Sequence, residues 1–199
     1  ELIAAYLLQR SYINSQLDLN NSLGKRNPKP SLKQLDDNDY ISISTLGKGS
    51  GGTVELVYSI KTELLYAMKI HYEQDSPLMK REIPNYLKAK GPFIPRFYGT
   101  IIHESHQGFI IDYIAGHSLT QIKKLNIQDL FKLLMILQLL QDFESLHKQN
   151  FIYRDLKPDN IIITDNMNLY LIDYDRMIEN IDDNKGEQAT VDFGHCYFA

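Results

Sequence analysis

Between Phe151 and Thr164 the chain gathers Arg154, Asp155, Lys157, Asp159 and Asn160 into one short run, flanked by a long apolar pattern before it and by Ile161-Ile162-Ile163 after it. Burying that many charged and amide groups is costly unless they pair with one another or serve a site. Asp155 can take the proton of an attacking hydroxyl, and Lys157 can neutralise charge on a phosphoryl group in transit. Asn160 offers a neutral oxygen to a hard divalent cation such as Mg2+. Asp173 follows thirteen positions after Asn160, in Leu171-Ile172-Asp173-Tyr174-Asp175. A hairpin over the intervening residues returns Asp173 beside Asn160, which gives a two-ligand metal site.

A second cluster reads Gly47-Lys48-Gly49-Ser50-Gly51-Gly52-Thr53-Val54 and satisfies G-x-G-x-x-G-x-V. A dinucleotide-binding fingerprint would have these glycines open a helix, whereas here they join two strand patterns, so that reading loses. Two readings stay open: a flexible glycine hairpin, or a loop whose bare backbone lets N–H groups cover phosphate oxygens. In Ala67-Met68-Lys69 a lysine closes an apolar strand pattern. Such a lysine often just reaches for solvent, but Glu82 on the following helix pattern is placed to pair with it and aim it at phosphate.

These residues need positioning elements. Tyr40, Ile41, Ile43 and Leu46 alternate with serines, and Val54 to Ile60, Leu64 to Ile70, Tyr98 to His103 and Gly108 to Ile114 supply further strand patterns. Together they predict a five-stranded antiparallel sheet. Ser76-Pro77 marks a helix start that runs to about Lys90, with Pro84 expected to kink or shorten it. Asn126 to Lys148 is the strongest helix pattern. Its wide apolar arc of Leu130, Leu133, Leu134, Ile136, Leu137, Leu140 and Phe143 predicts extensive burial. Ile161-Ile163 and Leu169-Ile172 read as a hairpin. At the front of the chain, Leu2, Tyr6, Ile13 and Leu17 keep to one helical stripe, and a polar, turn-rich stretch from Asn20 to Asn38 reads as a linker.

Composition limits the function classes. With 199 residues, 43% hydrophobic and 23% charged, the chain can bury a core and is neither disordered nor low in complexity. A net charge of -4 disfavours nucleic acid as a partner. The single cysteine, Cys196, excludes an intramolecular disulfide and points to the reducing cytoplasm or the nucleus. The apolar run Leu133 to Leu137 is far shorter than the about 20 residues of a membrane span. The start at Glu1 and the stop at Ala199 read as cuts in a longer polypeptide.

The order and spacing of these motifs resemble the eukaryotic-type protein kinase family, serine/threonine branch, from Tyr40 to the end of the chain. The resemblance implies an α+β, bilobal kinase-like fold: residues 1–38 as N-terminal helix and linker, 39–111 as the small lobe, and 112–199 as hinge and first part of the large lobe. It implies ATP and Mg2+ as cofactors, a protein substrate, and transfer of the γ-phosphoryl group to Ser or Thr. Asp155, Lys157, Lys69 and Glu82 match catalytic positions, and Asn160 and Asp173 match the metal ligands. Gly47, Lys48, Gly49, Ser50, Gly51, Gly52, Val54, Ala67, Lys69, Ile111, Asp112 and Ile114 match the nucleotide site, with Ile111 as gatekeeper and Asp112-Tyr113-Ile114 as hinge. The N-terminal helix is expected to dock on a missing part of the chain or on a partner.

The departures from the pattern are specific. Tyr153 replaces the usual histidine, and Asp175 replaces the glycine of Asp-Phe-Gly, which removes a residue tolerant of positive φ and adds charge near the metal. Asp192-Phe193-Gly194 spells the usual triplet 32 residues after Asn160 and is read as a decoy. The threonine that this branch carries before Ala-Pro-Glu is missing. Thr190 is a candidate phosphorylation site, with Arg154 as the cation that receives the phosphate. Two other classes stay open: a pseudokinase that binds without transfer, and a small-molecule kinase of related fold, which Asp173 and Asp175 would suit.

Overall fold

The computed structural model describes residues 32–49, 51–122 and 129–179. Five strands, β1 (Tyr40–Lys48), β2 (Gly52–Ser59), β3 (Leu64–His71), β4 (Phe97–His103) and β5 (His106–Asp112), form one sheet in the order β1-β2-β3-β5-β4. Every pairing in it is antiparallel, as the alternating patterns require. The β4–β5 turn uses Glu104 and Ser105 at φ 46° and 69°, the left-handed geometry that matches the twist of a tight hairpin.

Alternation along β3 gives the sheet two working faces. Tyr66, Met68 and Ile70 join Val57, Ile101 and Ile110 in one buried cluster, against which Leu35 and Tyr40 pack. Ala67 faces the other way, with Phe109 and Ile111, into a larger core shared with the helix α1 (Pro77–Lys88) and the second lobe. Lys69 shares the parity of Ala67, so it too lies on the face that carries α1.

Within α1 the buried residues Glu82, Ile83, Asn85 and Tyr86 fall on one face at helical spacing. Ser76 holds the N-cap position, but its side chain makes no capping bond, and the helix ends at Lys88 rather than Lys90. Pro84 does not shorten the helix. Pro84 and Lys80, whose carbonyl loses its helical donor, are both exposed, so water can satisfy that carbonyl and the break costs less than it would in a core.

The second lobe begins with β6 (Gly116–Ser118) and the one-turn helix α2 (Leu119–Ile122), followed by the long helix α3 (Asp129–Lys148). After it come β7 (Phe151–Ile152), β8 (Ile161–Thr164), β9 (Leu169–Leu171) and β10 (Ile178–Glu179). The hairpin expected at 161–172 is present as β8–β9, and β6 adds to it on the β8 side. Residue 126, the expected start of α3, lies outside the described residues, as do the stretch 1–31, Ser50, and the segment with Thr190, the decoy triplet and Cys196.

The extensive burial expected of α3 does not hold. Within the helix only Gln138 and Leu146 are buried, whereas Leu133, Ile136 and Leu140 are 46%, 54% and 59% exposed. Met135, Leu139, Phe143 and Leu146 form the stripe that meets the core. The helical period puts Leu133, Ile136 and Leu140 on the opposite side, where the described residues provide no layer for them to pack on.

Candidate active site

Strand β3 and helix α1 bring the first two candidates together. Lys69 Nζ donates to Glu82 Oε1 at 2.8 Å and lies 2.7 Å from Oε2. It also donates to Asp173 Oδ1 at 2.9 Å. The Glu82 side chain is fully buried, and burial pushes its carboxyl up to about 7 although Lys69 opposes the shift. For Lys69 burial alone works toward lowering, but the charges of Glu82 and Asp173 outweigh it and hold the ammonium above its ordinary value. Lys69 therefore stays cationic between two acids.

The run after β7 folds around Asp155. A 3-10 turn at Pro158–Asn160 brings the Asn160 side chain back to Asp155, where Nδ2 donates to the backbone carbonyl at 3.1 Å and to Oδ2 at 2.7 Å. Lys157 Nζ donates to the same Oδ2 at 2.8 Å. Asn160 is buried, and its carbonyl accepts from the Ile172 N–H at 3.0 Å, which ties the β8–β9 hairpin back to the turn. The Tyr153 hydroxyl donates to the Ile172 carbonyl. The residue before Asp173 is thus held on both of its backbone polar groups. Arg154 and Asp173 each have φ 66°, a left-handed conformation that costs on the order of 1 kcal/mol for residues with a side chain and concentrates where a side chain must be re-aimed.

Asp155, Asp173 and Asp175 converge: each offers one carboxylate oxygen, and the three oxygens lie within 4.8 Å of one another. Asp175 Oδ1 is buried and has no hydrogen-bond partner. Burial, and then the charge of Asp173, raise its carboxyl above the usual range. Converging hard oxygens with one of them orphaned fit a hard divalent cation such as Mg2+.

The glycine cluster closes the other side. Gly47 and Lys48 of β1 pair with Val54 and Thr53 of β2, and Gly49 N–H donates to the Gly52 carbonyl at 2.9 Å. A Cβ on Gly52 would stand 2.0 Å from the Ile70 carbonyl oxygen, so only glycine lets β2 lie this close to β3. A Cβ on Gly47 or Gly49 would meet nothing within 4 Å. Gly51 would press on Leu78, and Lys48 is exposed. Val54 pairs with Lys69 across β2–β3, and Ala67 with Ile111 across β3–β5, so the loop, the lysine and the gatekeeper position share one stretch of sheet. Asp112 is engaged elsewhere: its carboxylate accepts from Arg96 N at 2.9 Å, Arg96 Nε at 3.1 Å and the Tyr98 hydroxyl at 2.6 Å. Ile114 is half-buried.

The family model for the protein kinase domain matches residues 40–198, the span that holds all of these groups. The chain belongs to the protein kinase family. Among curated relatives it is 30% identical over 161 residues to the serine/threonine-protein kinase OXI1 of Arabidopsis thaliana, covering 72% of this chain and 38% of the relative. It is 32% identical over 169 residues to protein kinase 3 of Dictyostelium discoideum, covering 79% and 18%. With the serine/threonine-protein kinase LATS1 of Homo sapiens it shares 30% identity over 149 residues, covering 71% and 13%. The chain thus spans well under half the length of these relatives.

Several contacts of this kinase domain have no signal in the sequence. Asn85, on the buried face of α1, donates to the carbonyls of Tyr174 at 2.7 Å and Met177 at 2.9 Å, and so fixes the segment that follows Asp173. Phe109, Tyr86, Tyr174 and Tyr153 pack in series, tilted or edge to face, with ring centroids 5.7, 4.8 and 5.5 Å apart, joining the sheet to the residue two before Asp155. Tyr153 and Tyr174 are buried, so the aromatic exchanges at these two positions act in packing. The Lys69–Asp173 contact was likewise not foreseen. A lysine 104 positions upstream carries no trace of which distant acid will reach it.

Proposed function

We propose that this kinase domain transfers the γ-phosphoryl group of ATP to Ser or Thr hydroxyls of protein substrates, in the reducing cytoplasm that the single cysteine suggests. The observation that carries the reading is the convergence of Lys69, Asp155, Lys157, Asn160 and Asp173 from four separate elements: Lys69 bonds Asp173, and Lys157 and Asn160 both bond Asp155. The serine/threonine kinase names among its relatives favour the same acceptor class.

In this reading Asp155 orients the acceptor hydroxyl and takes its proton as the bond to phosphorus forms. Lys157, 2.8 Å from Asp155, brings positive charge to the moving phosphoryl group. Lys69, pinned by Glu82, steadies the phosphates of ATP. Gly47 and Gly49, where a Cβ would meet nothing within 4 Å, would leave the space above the phosphates free of side chains, while Gly52 lets β2 lie close to β3. Asn160 and Asp173 are the residues that would hold Mg2+, which supplies charge neutralisation on the phosphate oxygens when bound. Lys69 donates to Asp173 here, and with Asp173 engaged by a cation that ammonium would be free for a phosphate oxygen.

Mass spectrometry after incubation with Mg-ATP and a basic protein substrate tests the proposal. Phosphate on Ser or Thr that disappears in Asp155→Asn supports it. Nucleotide binding without transfer to any protein hydroxyl overturns it in favour of a binding module or a small-molecule kinase.

A further inference from the structure

Three carboxylates meet in the site, but only two have a cation. Lys157 lies 2.8 Å from Asp155 and Lys69 lies 2.9 Å from Asp173. Among the described residues Asp175 forms no ion pair, and its Oδ1 is buried without a donor. A carboxylate oxygen shut away from water with no partner loses hydration and regains nothing, so a native structure that keeps one has a use for it. The oxygen atoms of Asp155 and Asp173 within 4.8 Å show what that use is, since the three can face one cation together.

The local fold fixes this arrangement. Tyr174 between the two acids is fully buried, and the Asn85 side chain holds the carbonyls of Tyr174 and Met177 on either side of Asp175. The edge-on ring contacts of Tyr174 with Tyr86 and Tyr153 hold the backbone next to Asp175 in place. Its position is set by the same packing that sets Asp173.

We infer that Asp175 is a further ligand of the divalent-cation site, a second carboxylate beside Asp173, and that it lets this kinase domain hold a cation before ATP arrives. The inference rests on the reading of Asp173 and Asn160 as metal ligands. A site built from Asp173 and the neutral Asn160 leans on nucleotide phosphates for much of its negative charge; a further carboxylate supplies that charge from the protein itself. Affinity for the free ion then rises, and the need for nucleotide falls.

The test uses Mn2+ as the probe, titrated into the nucleotide-free chain and followed by electron paramagnetic resonance. One saturable Mn2+ per chain is expected, with affinity at least tenfold weaker in Asp175→Asn. Saturating Mn2+ should raise the melting temperature of the unaltered chain and leave that of Asp175→Asn nearly unmoved. In the absence of metal Asp175→Asn should melt no lower than the unaltered chain, because it removes an uncompensated charge. Should that variant fail to fold, Asp175→Gly, which restores the residue of the usual triplet, decides by the same readings. No Mn2+ binding without nucleotide, or equal affinity within twofold in a folded Asp175 variant, overturns the inference. The outcome is separable from that of the proposed function: phosphoryl transfer with Asp175-independent Mn2+ binding sinks only the inference, whereas Asp175-dependent Mn2+ binding without transfer sinks only the function.

Discussion

Lys69 Nζ sits 2.9 Å from Asp173 Oδ1, joining residues 104 positions apart and tying strand β3 to the loop after β9. Glu82 holds the same ammonium from α1. Three elements that meet the site separately are locked together by one charge.

Replacing that charge should therefore damage both activity and stability. Lys69→Met is expected to lower phosphoryl transfer at least a hundredfold and to cost about 3 kcal/mol of folding stability, because Glu82 is left buried without its cation. The carboxyl of Glu82 is already raised to about 7 by burial. With Lys69 gone it can be buried cheaply only when protonated, so the stability deficit should be larger at pH 8 than at pH 6. Urea unfolding at the two pH values checks this, and adding Glu82→Gln should recover part of the loss. An equal deficit at both would contradict it.

Asn85 is a structural hinge pin rather than a group that touches substrate. Asn85→Leu leaves the Tyr174 and Met177 carbonyls without their donors, and we expect a loss of roughly 2–4 kcal/mol from two buried acceptors. Hydrogen exchange should accelerate over 173–177 before it does so in the sheet. Unchanged protection there would show that the segment is held by the aromatic stack alone.

Pro84→Ala should stabilise the domain by about 1 kcal/mol. It restores a donor to the Lys80 carbonyl and relieves the ring, against a smaller gain in unfolded-chain entropy. Thermal melting gives the sign directly. A lower melting temperature would mean that the proline is required by packing that its exposed position does not reveal.

His71 makes stability depend on pH in the opposite sense to Glu82. It is buried, neither ring nitrogen has a hydrogen-bond partner, and Nε2 is 4.0 Å from Glu82. Burial first, then the charge of Lys69, push its pKa down to about 4, with Asp173 opposing. The unfolded chain binds a proton near 6.5 that the folded chain refuses until about 4. The stability that neutral His71 contributes is therefore complete above pH 6.5 and is lost as pH falls toward 4, to the extent of roughly 2–3 kcal/mol. His71→Leu should show a smaller fall over that range. Subtracting its urea-unfolding curve from that of the unaltered chain isolates this group from the raised carboxyl of Glu82.

Much of this domain is legible in its sequence. The period-2 patterns from Tyr40 onward dictate strands, because alternate side chains must face alternate sides of a sheet, and the order of Gly47, Lys69, Glu82, Asp155, Asn160 and Asp173 marks the family. Even the Lys69–Glu82 pair follows from local rules, since the parity of β3 and the period of α1 present the two residues to each other. Tertiary packing decided the rest. Pro84 was tolerated because its lost bond faces water, and the apolar arc of α3 stayed half uncovered because burial depends on which elements arrive to cover it. Asp175 reads in the sequence as a lost glycine. Only the fold, by burying Tyr174 and pinning its backbone to Asn85, turns that substitution into a third carboxylate facing Asp155 and Asp173, because convergence of like charges is a property of space and not of spacing.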